Sequence, residues 1–380
     1  MIYLDSAATS LLKPPCVAQA MTAALTGLGN CGRGAHGSAL DAARMVYHCR
    51  ERLAELFHVP GGPSQIVFTG GATDSLNLAI GGLFSPGQHV ITTALEHNSV
   101  LRPLYRLEAA GLELTILPAD DKGRISLDQL EASFRPNTAG VVCTHASNLC
   151  GNALPVAEIG AMAHRHGALC VVDEAQSAGH LPLNLETMDI DALCVPGHKG
   201  LMGPQGVGVL ALRPGVCPRP LRVGGSGVQS FSKTHPTQMP TALEAGTLNG
   251  PGIAGLGAAV DWMLEQGQTT LHNREVTLAQ RFYDQVRTLP DVRLYGDFSD
   301  FAHRAPVIAL NLGDIDSGLV ADALSTRFDI ATRAGAHCAP LAHQTFGTVT
   351  QGAVRFSFSP FNTVEEVDQA AQALRVLAEE

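Results

Sequence analysis

Seven short apolar runs recur between residues 65 and 212, at 65–69, 89–93, 112–117, 139–144, 168–173, 192–195 and 207–212. Runs of this length, apolar at nearly every position, read as strands buried on both faces. Between them lie stretches with helical spacing, such as 127–134 and 156–166, often opened by Ser, Asp or Pro and closed by Gly. This alternation predicts a mostly parallel sheet covered by helices on both sides. Ligands in such sheets lie beyond the carboxyl ends of the strands, which gathers Thr69, Thr93, Thr144, Asp173 and the residues after Val195 around one site.

A Gly-rich stretch at 246–257 ends the alternation. Beyond it the pattern predicts long helices at 253–265 and 271–289, strands near 307–312 and 354–358, and a final helix at 364–378. The expected organisation is a large α/β domain over 15–255, with 1–14 and 256–380 forming a smaller α+β domain. The 380 residues are 45% hydrophobic and 16% charged, enough to bury a core of that size.

A formal net charge of −10 argues against an electrostatic grip on nucleic acid or anionic lipid, since both require a basic face. A small-molecule substrate or a protein partner fits better. The start, Met1-Ile-Tyr-Leu-Asp5, lacks the basic and apolar regions of a signal peptide, and no stretch is long and apolar enough to span a bilayer, so a cytoplasmic protein is expected. Nine cysteines without a C-x-x-C pair suit reduced thiols, and no His/Cys spacing resembles a zinc site.

Two residues change the picture most. Lys199 lies between glycines after the 192–195 run, and Asp173 ends the run before it. A Schiff-base lysine and a carboxylate that keeps a pyridinium nitrogen protonated are the two groups pyridoxal phosphate most needs from a protein. A surface lysine and a carboxylate serving as helix cap or salt-bridge partner are the plainer readings of each alone. A nearby cation such as His198 would favour the free amine of Lys199. Gly70-Gly71-Ala72-Thr73-Asp74, between a predicted strand and a predicted helix, offers backbone N–H groups from Ala72 and Thr73 and a hydroxyl to a phosphate, or merely a turn. His97 could stack on a planar ring. Arg355 could clamp a substrate carboxylate through two parallel hydrogen bonds, or form an ordinary ion pair. Cys338 lies in a loop-like segment, Arg333-Ala-Gly-Ala-His-Cys-Ala-Pro-Leu341, beside His337 and near Arg333, where a thiol is more readily ionised than in a core.

Taken in order, the segments Leu4-Asp-Ser-Ala-Ala-Thr9, Gly71-Ala-Thr-Asp-Ser-Leu-Asn77, Glu96-His97, His145-Ala-Ser-Asn148, Val172-Asp-Glu-Ala-Gln176, Gly197-His-Lys199, Glu244-Ala-Gly-Thr247 and 333–340 closely resemble the NifS/SufS-like cysteine desulfurases. These are pyridoxal-phosphate (PLP) enzymes of fold type I, related to class V aminotransferases. The resemblance runs over about residues 2–375. It implies a seven-stranded large domain, Lys199 bound to PLP, Asp173 at the pyridine nitrogen, His97 on the ring, Gln176 and Asn148 near the phenolic oxygen, and Thr73 and His198 at the phosphate. It further implies a homodimer in which Thr247 reaches the partner's phosphate. Arg355, with Asn148 and Arg333, would bind the substrate, and Cys338 would accept its sulfur. L-cysteine is then the expected substrate and a sulfur-acceptor protein an expected partner. L-selenocysteine lyase activity, and class V aminotransferase chemistry that makes no use of Cys338, are the alternatives. Pro196 stands where many relatives carry Ser or Thr; proline offers a phosphate neither a hydroxyl nor an N–H, so its grip would lean on Thr73, His198 and Thr247.

Overall fold

A computed structural model describes residues 1–31 and 34–380. The chain opens with a two-residue strand, β1 (Ile2–Tyr3), and two helices, α1 (Pro15–Gly27) and α2 (Gly37–Leu56). Strand and helix then alternate through β2 (Ile66–Thr69), α3 (Ala72–Leu83), β3 (His89–Thr93), α4 (Asn98–Ala109) and β4 (Glu113–Leu117). The alternation continues with α5 (Leu127–Ala132), β5 (Thr138–Thr144), α6 (Val156–Arg165) and β6 (Leu169–Asp173), and β7 (Ala192–Pro196) and β8 (Gly208–Leu212) complete it.

These seven strands form one sheet in the order β2-β8-β7-β6-β5-β3-β4. Only β8 runs against the others, pairing antiparallel with both β2 and β7. The expected mostly parallel sheet is therefore present, and the antiparallel strand has a local cause. The connection from β7 to β8 is too short to carry a crossover helix, so the chain turns back beside the strand it has just left. That return contains Lys199.

Alternate strand residues supply two cores. Val67, Val90, Val142, Val171, Ala192 and Leu210 face Leu76, Ile80, Val100 and Leu104 of α3 and α4. Ile66, Phe68, Ile91, Val141, Val172, Leu193 and Val209 face the side built from α2, α6 and α7 (Gly250–Gln266). Both faces are buried, which is why the strand sequences read as continuous apolar runs rather than alternating ones.

After a largely irregular stretch at 213–249, α7 is followed by α8 (Gln268–Val286), β9 (Val292–Tyr295), β10 (Val307–Leu312), α9 (Ser317–Phe328) and β11 (Ile330–Ala331). Then come β12 (Arg333–Gly335), α10 (Pro340–Thr345), β13 (Ala353–Ser357) and α11 (Val364–Ala378). A second, four-stranded sheet has the order β12-β13-β10-β9, and its own core joins Phe282, Ile308, Leu310, Val354, Phe356, Val367 and Leu374. Strand β1 pairs in parallel with β11, so the N-terminus is tied to this smaller layer. Helix α7 begins at Gly250 and buries Ile253, Leu256, Val260 and Met263 in the large core. No helix among the described residues is long and apolar enough to cross a membrane.

Candidate active site

Strands β2, β3, β5, β6 and β7 end on the same edge of the large sheet, and a cavity of about 610 Å³ opens there. That volume lies in the usual range for small-molecule sites. Ala72, Thr73, His97, Asn148, Asp173, Gln176, His198 and Lys199 all line it. Thr247 lies elsewhere, in a separate depression with Cys31 and Glu244. Arg355 and Cys338 border the site without lining that cavity.

One wall is the β2–α3 turn. Gly71 leaves the strand with φ +150° and precedes α3, whose first turn has no side-chain cap. Uncapped helical N–H groups at a positive helix end form an anion cradle. The turn fits only because Gly208 on β8 lacks a side chain: a Cβ there would lie 2.5 Å from the Gly71 Cα. Asp74 steadies the turn, accepting from Gly70 N–H at 3.0 Å and pairing with Arg222 at 2.8 Å. Thr73 Oγ1 lies 2.8 Å from the hydroxyl of Ser99, which also lines the cavity.

The floor carries the two charged groups. Asp173, at the end of β6, is buried, and burial pushes its carboxyl up to about 6; its Oδ1 accepts from Ala175 N–H at 2.9 Å. Lys199 is buried in the β7–β8 return, and its amine is pulled down to about 8 by burial first, then by Arg355. The nearby cation is thus Arg355, not His198 as the sequence order suggests. His198 is itself held neutral, lowered to about 4 by burial and the Lys199 charge. Among the described residues, no carboxylate lies within salt-bridge distance of Lys199.

His97 caps α4. Its Nδ1 accepts from Ser99 N–H at 3.0 Å, which leaves the proton on Nε2, and burial lowers the ring to about 4. Gln176 donates to the Ala7 carbonyl at 3.0 Å, and His198 Nδ1 lies 3.0 Å from Thr9 Oγ1, so the N-terminal segment closes one side of the cavity. Asn148 donates to the His337 carbonyl at 2.7 Å, while its buried Oδ1 lacks a partner.

The Cys338 segment, expected to be a loop over 333–341, is strand β12 at its start and helix α10 at its end, with a four-residue link at 336–339 in which Cys338 is exposed while His337 and Ala339 are buried. Consecutive His337 and Cys338 have φ of +49° and +55°. Two adjacent non-glycine residues in this region store strain, which surrounding contacts must hold. The loop is held from both sides: Asn98 N–H donates to the Cys338 carbonyl at 2.8 Å, and Asn148 grips the His337 carbonyl. The thiol shares a groove with Thr73, His97 and Ser99, which also line the main cavity. The ring of His337 is buried against His343 and lowered to about 3, so it offers the thiol no positive charge.

Arg355 lies within β13 rather than at the start of a strand, and its side chain is 2% exposed. Nη1 donates to the Asn148 carbonyl at 2.9 Å and Nη2 to Asp5 Oδ1 at 3.0 Å, while Nε has no partner among the described residues. Exposed Arg333 stands opposite it on β12. Sequence reasoning missed Asp5 and Ser99 as site residues. Ser99 carries a signal in its position two residues after His97; Asp5 is joined to Arg355 only by the fold.

The residues fit PLP. The uncapped α3 terminus suits its phosphate, the buried Asp173 carboxyl suits its ring nitrogen, and buried Lys199 suits covalent attachment.

A family model described as Aminotransferase class-V matches residues 2–370. The chain is 33% identical over 384 residues to a probable cysteine desulfurase of Methanothermobacter thermautotrophicus, covering 99% of this chain and 94% of that protein. It is 34% identical over 386 residues to a cysteine desulfurase of Klebsiella pneumoniae, covering 99% and 93%. The apo structure of a cysteine desulfurase from Thermococcus onnurineus superposes with a TM-score of 0.93 at 33% identity, covering 100% of this chain and 94% of that one. The Escherichia coli cysteine desulfurase CsdA, in an S-sulfonic acid form, gives 0.90 at 28%, again over 100% and 94%.

Proposed function

Since the chain belongs to the class V aminotransferase family, whose members depend on pyridoxal phosphate, we propose that it is a cysteine desulfurase that moves the sulfur of L-cysteine onto Cys338 and releases L-alanine. The observation that carries this reading is the tethering of the Cys338 loop. Backbone and amide bonds from Asn98 and Asn148 hold an exposed thiol at the rim of the cavity that contains Lys199 and Asp173. An aminotransferase has no use for a cysteine kept there.

Lys199 would anchor the cofactor covalently, buried Asp173 would pair with its ring nitrogen, and neutral His97 would lie against its ring. The α3 terminus with Ala72 and Thr73, together with His198, would hold its phosphate, and Gln176 and Asn148 would serve its phenolic oxygen. The bound cofactor supplies an electron sink for the carbon that bears the substrate amine. As a free base, Lys199 Nζ would remove the Cα proton of the substrate and later return a proton. The Cys338 thiolate attacks the substrate sulfur; an S–S bond forms, the Cβ–S bond breaks, and its electron pair stays with carbon, which is then protonated to give alanine. The electrons balance without an external oxidant, and the persulfide passes to a thiol or an acceptor protein. Arg355 receives the substrate carboxylate, with Asn148 and Arg333 beside it. A second copy of the chain forms the dimer and brings Thr247 to the phosphate.

The test is alanine and sulfide release from L-cysteine with a thiol reductant, for wild type and Cys338→Ala, with L-selenocysteine in parallel. Equal alanine and sulfide, lost in the variant while the cofactor absorbance remains, is the expected result. Turnover of selenocysteine alone, unaffected by the substitution, would replace this reading with selenocysteine lyase.

A further inference from the structure

Arg355 already holds a carboxylate, and it belongs to the protein. Asp5 Oδ1 accepts from Nη2 at 3.0 Å, with side-chain exposures of 20% for Asp5 and 2% for Arg355. The acid is therefore the accessible partner of the pair and the arginine the fixed one. Nη1 remains anchored on the Asn148 carbonyl, and Nε is buried without a partner. Nε and Nη2 form the side-on fork of a guanidinium, the edge that binds a carboxylate through two parallel bonds. Asp5 uses one prong of that fork and leaves the other empty.

We propose that Asp5 is a built-in stand-in for the substrate carboxylate, which binds by exchanging with it at Nη2 and taking up Nε as well. This rests on the reading that Arg355 receives the substrate carboxylate. The location of Asp5 is set by the site itself. Ala7, two residues on, accepts from Gln176, and Thr9 and Ser10 bond His198, so the segment carrying the stand-in is fastened to groups lining the same cavity. Asp5 compensates a buried cation that would otherwise lack a counter-ion. Arg333, in register with Arg355 on the neighbouring strand and exposed, adds positive charge that draws in the substrate anion. The exchange sets a weaker affinity than Arg355 alone would give, and makes Asp5 a positioning residue that tunes KM.

The experiment measures KM and kcat for L-cysteine on holoenzyme, and equilibrium binding of the product L-alanine by calorimetry, for wild type, Asp5→Asn, Asp5→Glu and Arg355→Lys. Asp5→Asn is expected to lower KM and tighten alanine binding by about 5- to 10-fold, in the range of one net hydrogen bond. Asp5→Glu returns both toward wild type. Arg355→Lys raises KM. A raised KM in Arg355→Lys with unchanged or weaker alanine binding in Asp5→Asn would overturn the exchange while leaving the Arg355 reading intact. An unchanged KM in Arg355→Lys would remove Arg355 from the carboxylate site, and the exchange with it. The alanine measurement depends on the folded holoenzyme and not on turnover, so a variant slow in sulfur transfer still reports.

Discussion

In the proposed role Lys199 reacts with the cofactor as a free amine, and its surroundings set how much free amine exists at neutral pH. An ordinary lysine near 10.5 is about 0.03% neutral at pH 7, whereas one lowered to about 8 is about 10% neutral, a gain of roughly 300-fold in nucleophile. Burial is the first cause, the Arg355 charge the second, and Asp173 opposes both. The sign is fixed: the protonated form is disfavoured in the folded protein, so capture rises with pH and levels off above about 8. The assay is the first-order rate of covalent capture by apoprotein at saturating PLP, followed by absorbance in stopped flow between pH 6 and 10. The rate should climb about tenfold per pH unit and then flatten. Arg355→Met should move the midpoint up and Asp173→Asn should move it down. A rate still rising tenfold per unit through pH 10, or both variants moving the midpoint the same way, would refute the electrostatic account.

Gly208→Ala puts a Cβ 2.5 Å from the Gly71 Cα, so the β2–α3 turn must move; PLP should bind at least tenfold more weakly by fluorescence titration, while the far-ultraviolet circular dichroism stays unchanged. Glu96 is buried, raised to about 8, and accepts from Thr93 Oγ1 and Thr144 N–H, with Oε2 unpartnered. Because its folded pKa lies above the unfolded one, it lowers stability increasingly as pH rises from about 4.5 to 8; Glu96→Gln should therefore gain little at pH 5 and about 1–3 kcal/mol at pH 7 in urea unfolding, and a gain independent of pH would contradict this. For Thr247, a mixed dimer of Lys199→Ala and Thr247→Ala chains contains one site with both defects and one intact site if the hydroxyl acts across the interface. Recovery of about a quarter of the wild-type activity on equal mixing with subunit exchange is expected, since half the dimers are mixed and each has one intact site, and no recovery would return Thr247 to a structural role.

How much of this molecule is readable from its chain follows from the range of the forces involved. The seven apolar runs became the seven strands because burial on both sheet faces leaves a local mark, and α11 begins and ends where Val364 and Ala378 suggest, since Thr363 and Glu366 form a capping box. The gathering of Lys199, Asp173 and the Gly70–Gly71 turn around one cavity was likewise legible, because residues that follow neighbouring parallel strands meet at the same sheet edge. What escaped depends on contacts between distant segments. The reversal of β8 reflects a short return from β7, and the cation that depresses Lys199 is Arg355, which lies on a strand of the other sheet, while the adjacent His198 is neutral. Asp5 meets Arg355 across 350 residues of sequence. A carboxylate near the N-terminus carries no local sign of its partner, yet the fold places it on the guanidinium proposed to hold the substrate. The site's identity is thus written in short motifs, and its tuning in pairings that only the folded chain creates.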